Sequence, residues 1–280
     1  MKYNQMSRLN CGANIPIMGF GTYSSENVRE ETKQAVKTAL KMGYKHFDAA
    51  KIYGCEASVG EALREAIFVD QSVERQDIFV TSKLWGSDHH DPVSALNQTL
   101  LNMGLEYVDM FLVHWPVKLK PWATYPVPNE QDFERVLDLE TTWAGMEKCL
   151  DMGLCRAIGV SNFSTIKIQR LLNFASVPPA LNQVEMHPMW RQSKLREFCR
   201  DHNIHVALSW GLSKGGSVIV KSFNKYRMKE NMRALDLRLD DRDLLDIERM
   251  EERKIMRGEC LVNDTTSPYK TIQDLWDDEI

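Results

Sequence analysis

The chain has 280 residues, of which 43% are hydrophobic, so it can bury a large core, and its formal net charge is -4. The slight acidic excess and the lack of any basic block argue against a nucleic-acid-binding protein. No stretch approaches the roughly 20 apolar residues that a membrane span requires, and the N-terminus lacks the apolar run of a signal peptide.

Short apolar runs alternate with amphipathic stretches along the whole chain. Strands are predicted at residues 17–22, 46–48, 78–83, 108–114, 157–160, 181–184 and 217–221. Helices are predicted at 30–42, 57–66, 140–152 and 194–202, and another begins where Asp91 caps a first turn opened by Pro92. This alternation favours a parallel sheet covered by helices. No low-complexity linker divides residues 1–280, so we expect a single domain.

Four polar residues lie at or just beyond the ends of predicted strands: Asp48, Tyr53, Lys83 and His114. A barrel gathers such residues at one mouth. A nearby ammonium makes a phenol a better proton donor, a carboxylate can hold that ammonium, and an imidazole can orient a carbonyl oxygen. Together they could protonate a carbonyl oxygen while a hydride reaches its carbon. Taken singly, each also has an ordinary explanation as a rim, solvated or capping residue.

Two further groups of polar residues follow later strands. Ser161, Asn162 and Gln183 could hydrogen-bond a carboxamide, or could simply cap loops. Lys221 and Arg227 lie beside a predicted helix start and could bind a phosphate, or could form a solvated basic helix face. No Gly-x-Gly-x-x-Gly motif follows a strand, so a Rossmann module is not indicated.

Several segments, in order and spacing, resemble the aldo-keto reductase family, in particular its plant carbonyl-reducing branch. They are GFGTY (19–23), HFDAAKIYG (46–54), TSKLW (81–85), YVDMFLVHWP (107–116), IGVSNFS (158–164) and NQVEMHP (182–188). The resemblance implies a TIM-type (β/α)8 barrel and NADP(H) as the cofactor. It also implies that Asp48, Tyr53, Lys83 and His114 are the catalytic tetrad, without a substitution.

The resemblance assigns roles to further residues. It implies that Ser161, Asn162 and Gln183 bind the nicotinamide amide. It places Lys221, Ser222 and Arg227 at the adenosine 2′-phosphate, and Glu230 and Asn231 at the adenine. Tyr23, Trp85 and Trp115 lie beside catalytic strand ends and would wall a carbonyl substrate pocket. Loop 117–138 and the C-terminal tail 256–280 are expected at the mouth of the site.

The chain departs from the family just before its last predicted strand. Relative to the family, about thirty residues are missing, judged against the size of a β–α–β unit, with the join near Val206–Ala207. The resemblance implies that they include the nicotinamide-stacking aromatic and the loop that clasps the pyrophosphate. If residues 205–210 form the seventh strand, only residues 211–216 remain for the return. A taut link of that length can just close the barrel, but no helix covers that side. If residues 206–214 are helical instead, the seventh strand is absent or vestigial, and the barrel must close around a gap or stay open. We therefore expect a barrel that is incomplete around its seventh strand and the following helix.

The sequence favours an NADPH-dependent oxidoreductase that reduces a small-molecule aldehyde or ketone. Six scattered cysteines without a Cys-x-x-Cys pair suit a reducing compartment, so we expect a soluble, cytoplasmic monomer. No His/Cys cluster has metal-ligand spacing, so we expect no metal. An impaired reductase that lacks its cofactor clasp is the main alternative. A lyase or isomerase without nicotinamide would leave Lys221 and Arg227 without a role.

Overall fold

The computed structural model describes residues 5–24, 29–208 and 216–280, and its centre is a closed barrel of eight parallel strands. A short antiparallel hairpin of β1 (Met6–Arg8) and β2 (Asn14–Pro16) precedes the barrel. The barrel strands are β3 (Met18–Gly21), β4 (His46–Asp48), β5 (Phe79–Leu84), β6 (Met110–Val113), β7 (Ile158–Ser161), β8 (Leu181–Gln183), β9 (His205–Leu208) and β10 (Ser217–Val220). Each strand pairs with the next, and β10 pairs with β3. The predicted (β/α)8 fold is therefore confirmed.

Helices cover the outside of the barrel, and further helices lie in the C-terminal part of the chain. They are α1 (Arg29–Lys41), α2 (Glu56–Arg64), α3 (Pro92–Met103), α4 (Leu139–Asp151), α5 (Thr165–Leu172), α6 (Ser193–Asp201), α7 (Lys225–Arg233), α8 (Asp241–Glu248) and α9 (Ile272–Trp276). As predicted, the Asp91 side chain caps α3 by accepting from the Ser94 N–H at 3.0 Å, with Pro92 at the first helical position. Among the helices in the described ranges, none is long and apolar enough to cross a membrane.

Strand alternation decides which side chains point into the barrel. Phe79 and Met110 belong to the same apolar cluster as Ile15 of the hairpin, so the hairpin closes the end of the barrel where the strands begin. Residues two and four positions further along a strand point the same way. This periodicity directs Lys83 and His114 into the barrel at the opposite end. The carboxyl ends of the strands therefore form the open mouth.

The other faces of the strands pack beneath the helices. This larger core contains strand residues Phe47, Val80, Phe111 and Val160 together with helix residues Val36, Leu63, Leu96, Met146 and Ile168. All of these side chains are almost fully buried. Packing on both faces of the sheet holds the strand ends in fixed relative positions, which is what a catalytic site built on several strands requires.

The seventh barrel strand, β9, is present and pairs on both sides. The register places Val206 opposite Asn182 of β8 and Ala207 opposite Ser217 of β10. The expectation of a barrel that is incomplete at this strand is therefore wrong, and so is the alternative in which a helix begins at Val206. The barrel closes although the segment that joins β9 to β10 is short.

The length of that segment explains why closure is possible. Residues 209–216 can span roughly 26 Å when extended, whereas the return along the four-residue β10 is only roughly 13 Å. A crossover helix is therefore not needed to connect the two strands. Residues 209–215 lie outside the described part of the chain, and with them the end of the predicted strand 205–210 and most of the predicted helix 206–214. Within the described residues, no helix lies between β9 and β10.

Candidate active site

A buried ion pair lies at the centre of the mouth. The Lys83 ammonium Nζ is 2.7 Å from Oδ2 of Asp48, and both side chains are almost completely buried. Lys83 Nζ also donates to the Ala49 carbonyl at 3.2 Å and contacts the Tyr53 hydroxyl at 3.1 Å. The second carboxylate oxygen of Asp48 accepts from Nε2 of Gln183 at 2.9 Å. The ammonium thus has three partners, and both carboxylate oxygens are engaged.

Tyr53 reaches Lys83 because of the turn that follows β4. Residues Lys51–Tyr53 form one turn of 3-10 helix, and Gly54 ends it with a φ of 64°. Glycine adopts this left-handed conformation without the steric cost that other residues incur. The turn therefore brings the phenol back over the strand end. The Tyr23 ring packs edge-on against the Tyr53 ring, with 5.3 Å between the ring centroids.

Two effects act in opposite directions on the Tyr53 hydroxyl. Burial raises the pKa of Tyr53 above its usual value of 10.0, whereas the neighbouring Lys83 ammonium lowers it, and burial is the larger effect. Burial alone would lower the pKa of Lys83, but the Asp48 carboxylate and the Tyr53 hydroxyl raise it overall. The phenol is therefore protonated and the ammonium charged at neutral pH. Lys83 opposes the effect of burial on the acidity of Tyr53 but does not outweigh it.

His114 follows β6 and presents a neutral ring to the mouth. Burial, reinforced by the Lys83 charge, holds the pKa of His114 well below its usual value of 6.5. Its ring lies edge-on to those of Tyr53 and Trp85, at centroid distances of 5.6 and 5.8 Å. Buried Nδ1 has no hydrogen-bond partner in the described part of the chain. A neutral imidazole next to a phenol can orient a carbonyl oxygen, as the sequence predicted.

The three predicted amide-binding residues are connected to the tetrad. Ser161 Oγ donates to the Gln183 carbonyl at 2.8 Å, and Asn162 Nδ2 donates to the His114 carbonyl at 2.9 Å. Asn162 adopts a left-handed conformation with a φ of 61°, which asparagine tolerates better than most residues. With Gln183 bound to Asp48, the ends of β4, β6, β7 and β8 form one hydrogen-bonded rim. The sequence did not indicate these links.

The predicted phosphate-binding residues lie at the end of β10 and on α7. Lys221 and Arg227 are exposed, and neither forms an ion pair within the described ranges. Asn224 Oδ1 accepts the N–H groups of Tyr226 and Arg227 at 2.9 and 3.3 Å. Because that cap already occupies two of the free N–H groups at the start of α7, an anion there would depend mainly on the side-chain cations.

The other three residues assigned to this region differ in their surroundings. Ser222 Oγ accepts the Asn224 N–H at 3.2 Å and so supports the start of α7. Glu230 lies exposed on the helix, and the Tyr44 hydroxyl donates to the Met228 carbonyl of the same helix at 2.9 Å. The helix thus presents Glu230 to solvent and is attached through the Met228 carbonyl to Tyr44, which lies just before β4. No contact of Asn231 within the described ranges tests its expected role at the adenine.

The three aromatic residues predicted to wall the substrate pocket separate into two groups. Tyr23 is 53% exposed and lines the cavity that contains the tetrad. Trp85 and Trp115 are instead buried in an apolar cluster with Trp276 of the C-terminal helix. The rings of Trp115 and Trp276 lie 5.8 Å apart. These two tryptophans therefore join the tail to the rim of the barrel.

The tail is attached to the mouth by polar contacts as well. The Tyr269 hydroxyl donates to the Pro116 carbonyl at 2.9 Å, and Lys167 of α5 pairs with Asp277 at 2.5 Å. Thr265 hydrogen-bonds Glu130 of loop 117–138, so the loop and the tail contact each other. The tail thus contacts Pro116 and α5, and the loop contacts the tail.

A cavity of about 280 Å³ contains most of these groups. It is lined by Asp48, Tyr53, His114, Ser161, Asn162, Gln183 and Lys221, together with Gly21, Thr22, Tyr23, Val184, Glu185, Ile219 and Met256. Sequence reasoning missed Val184, Glu185, Ile219 and Met256. Glu185 alternates with Gln183 along the same extended segment, which could have indicated that it faces the mouth. Met256 begins the tail that was expected at the mouth, but nothing in the local sequence distinguished it from the rest of that tail.

Lys83→Met tests how far the fold depends on the ion pair. The substitution leaves a buried carboxylate without its cation, so we expect the free energy of unfolding to fall by about 3–5 kcal/mol. Adding Asp48→Asn removes the stranded charge and should restore most of that loss. Urea denaturation of wild type, single and double variants measures both effects. A loss below about 1 kcal/mol for the single variant would contradict the importance of this pair.

Comparisons with known proteins identify the family to which this chain belongs. The Aldo/keto reductase family model matches residues 17–206. The 7-acetyl-epi-neemfruitin B aldo-keto reductase of Melia azedarach is 40% identical over 309 positions, covering 96% of this chain and 95% of the relative. Deoxymugineic acid synthase 1 of Oryza sativa subsp. japonica is 40% identical and covers 96% of each chain. Aldo-keto reductase family 4 member C11 of Arabidopsis thaliana is 38% identical and covers 98% of each.

The same comparisons bear on the shortened segment. The first alignment has 309 positions, whereas 96% of 280 residues is only about 269, so about 40 aligned positions have no residue in this chain. The family match also ends at residue 206, where the sequence departs from the family. With a family match over more than half of its length and relatives of about 40% identity along nearly all of it, the chain belongs to the aldo-keto reductase family of carbonyl-reducing oxidoreductases.

Proposed function

We propose that this chain is an NADPH-dependent reductase that converts an aldehyde or ketone to an alcohol, with Tyr53 as the general acid. The single observation that carries the proposal is the buried Asp48–Lys83–Tyr53 network beside a neutral His114, in one cavity. Bound NADPH would supply the hydride that adds to the carbonyl carbon. The protein supplies the proton and the orientation.

Each residue has a separate task in this proposal. The Tyr53 hydroxyl and the neutral His114 ring donate hydrogen bonds to the carbonyl oxygen, which fixes the substrate in the cavity. Tyr53 transfers its proton to that oxygen as negative charge develops there. Lys83, 3.1 Å from the phenol oxygen, stabilises the phenolate that remains. Asp48 keeps the ammonium in place and charged through its 2.7 Å contact.

The residues present fit a nicotinamide cofactor with a 2′-phosphate. Ser161, Asn162 and Gln183 line the cavity with their polar groups and would bind the carboxamide. Lys221, at the cavity edge, and the exposed Arg227 have no competing ion pair within the described ranges, so both are available to a phosphate. Ser222, Glu230 and Asn231 complete the proposed adenosine 2′-phosphate and adenine contacts.

The substrate would enter between the barrel and the segments that surround its mouth. Tyr23 lines the cavity directly and would contact the substrate, while Trp85 and Trp115 would support the wall from behind. Loop 117–138 and tail 256–280 would bound the entrance. In this proposal residues 1–280 act as one cytoplasmic domain, consistent with six free cysteines.

The shortened β9–β10 link supports a second candidate, a reductase impaired in cofactor binding. About 40 positions of the relatives have no counterpart here, and they would include the family's clasping loop. An intact tetrad with its full hydrogen-bond network favours the active enzyme. The two candidates differ in one measurable property, which is the affinity for NADPH.

Tyr53→Phe tests the acid. The substitution removes the proposed proton donor but keeps the ring that packs against Tyr23 and His114. General acid catalysis contributes about 10²–10⁴-fold, so kcat for aldehyde reduction should fall by that factor while the NADPH dissociation constant stays the same. Steady-state kinetics and a fluorescence titration measure the two quantities. An unchanged kcat would refute the assignment of Tyr53.

The pKa shifts predict a flat pH profile. The pKa of Tyr53 is raised above 10.0 by burial, and burial with the Lys83 charge holds the pKa of His114 well below 6.5. Neither group changes protonation between these values, so kcat should be constant from pH 6.5 to pH 10. The measurement is kcat at saturating cofactor and substrate across that window. A midpoint near pH 7 that disappears in His114→Gln would show that the imidazole titrates during turnover.

Arg227→Ala tests the choice between NADPH and NADH. Only NADPH carries the extra phosphate, and a charge-assisted contact to an exposed arginine contributes about 1.5 kcal/mol or roughly tenfold in affinity. NADPH binding should weaken by about that factor, whereas NADH binding should be nearly unchanged. Dissociation constants at fixed ionic strength measure the difference. Equal losses for both cofactors would remove Arg227 from the phosphate site.

A further inference from the structure

Glu185 attaches a distant part of the chain to the catalytic mouth. It lies two residues beyond β8, and its side chain is buried. Oε1 accepts the Ile255 N–H at 2.8 Å and contacts His187 Nε2 at 2.8 Å, while Oε2 accepts the Met256 N–H at 2.7 Å. One carboxylate therefore holds two successive backbone amides from a segment about 70 residues away along the chain.

The segment that Glu185 holds contributes to the wall of the catalytic cavity. Met256 lines this cavity together with Tyr53, His114 and Glu185 itself, and it is 57% exposed. An exposed methionine at a cavity edge is not explained by core packing. Glu185 holds the backbone N–H groups of Ile255 and Met256, so the Met256 thioether extends from a fixed backbone position.

We propose that Met256 forms the apolar wall against which the nicotinamide ring packs, and that Glu185 is the positioning residue that holds this wall in place. The inference rests on the proposed function, because it concerns the cofactor of that site. Met256 and Glu185 lie outside the tetrad, and in this proposal they affect only the binding of the nicotinamide end of the cofactor.

The lining of the cavity supports this assignment. Ser161, Asn162 and Gln183 supply the polar groups for a carboxamide, so a ring attached to it must lie against the apolar part of the same cavity. Besides the aromatic Tyr23 and Tyr53, which belong to the carbonyl side, the larger apolar lining side chains are Val184, Ile219 and Met256.

Of these three, Met256 is the one suited to a planar ring. Val184 and Ile219 are branched, and both are attached close to strand ends whose positions are fixed by the barrel. A thioether is flexible and polarisable, and it makes favourable contacts with aromatic rings. Within the described ranges, the C-terminal segment therefore contributes the flexible apolar side chain of this cavity, Met256.

The test compares two ligands that share the adenosine end and differ in the nicotinamide. Dissociation constants for NADPH and for adenosine 2′,5′-bisphosphate are measured for wild type, Met256→Ala and Glu185→Gln. Met256→Ala should weaken NADPH roughly two- to tenfold, the range of a sulfur–aromatic contact, and leave the bisphosphate unchanged. Glu185→Gln should likewise weaken NADPH binding and leave bisphosphate binding unchanged. The Gln side chain has an NH2 group in place of one carboxylate oxygen, so it can no longer accept both the Ile255 and the Met256 N–H groups as Glu185 does.

The double variant Met256→Ala/Glu185→Gln distinguishes a positioning role of Glu185 from a general loss of structure. If Glu185 acts through Met256, the double variant should bind NADPH no more weakly than the weaker of the two single variants. Met189→Ala changes an exposed methionine that does not line the cavity, so it is the matched control and should leave both affinities unchanged.

Each contrary outcome points to a different error. If Met256→Ala binds NADPH as wild type does, or weakens both ligands equally, the wall is not Met256 and the inference is overturned. If Met256→Ala weakens NADPH selectively but Glu185→Gln binds both ligands as wild type does, only the positioning role is overturned. Wild type that binds neither ligand overturns the proposed function itself, and the inference with it.

Discussion

The buried contact between Lys83 and Asp48 is the constraint on which the rest of the site depends. An ammonium and a carboxylate taken out of water cost several kcal/mol each unless their geometry is good and their remaining hydrogen-bond positions are filled. Both conditions hold here, since Lys83 has three partners and Asp48 has a second donor in Gln183. The pair therefore fixes the ends of β4, β5 and β8 and the turn that carries Tyr53.

Much of this arrangement could be predicted from the sequence, because it follows from local rules. A polar residue that ends an apolar strand must face the mouth of a barrel, and the period of two along β5 and β6 places Lys83 and His114 inside. The cap by Asp91 at the start of α3 was predicted for a similar local reason. In each case the deciding information lay within about six residues.

What could not be predicted depends on contacts between distant parts of the chain. The closure of the barrel at β9 depends on pairing with two neighbours, and the short link to β10 made an open barrel the natural expectation. The pKa of Tyr53 depends on burial, which the sequence does not show, so the effect of Lys83 was overrated. The burial of Trp115 against Trp276 likewise joins residues far apart in sequence.

We infer that the catalytic mouth is assembled and able to bind the proposed cofactor despite the shortened segment before β10. The most direct measurement is a titration of the wild-type protein with NADPH, followed by tryptophan fluorescence, since Trp85 and Trp115 lie beside the mouth. We expect saturable quenching of the tryptophan fluorescence, and oxidation of the bound cofactor when an aldehyde is added. No quenching up to millimolar NADPH, from a protein that unfolds cooperatively, would contradict it and favour the impaired relative.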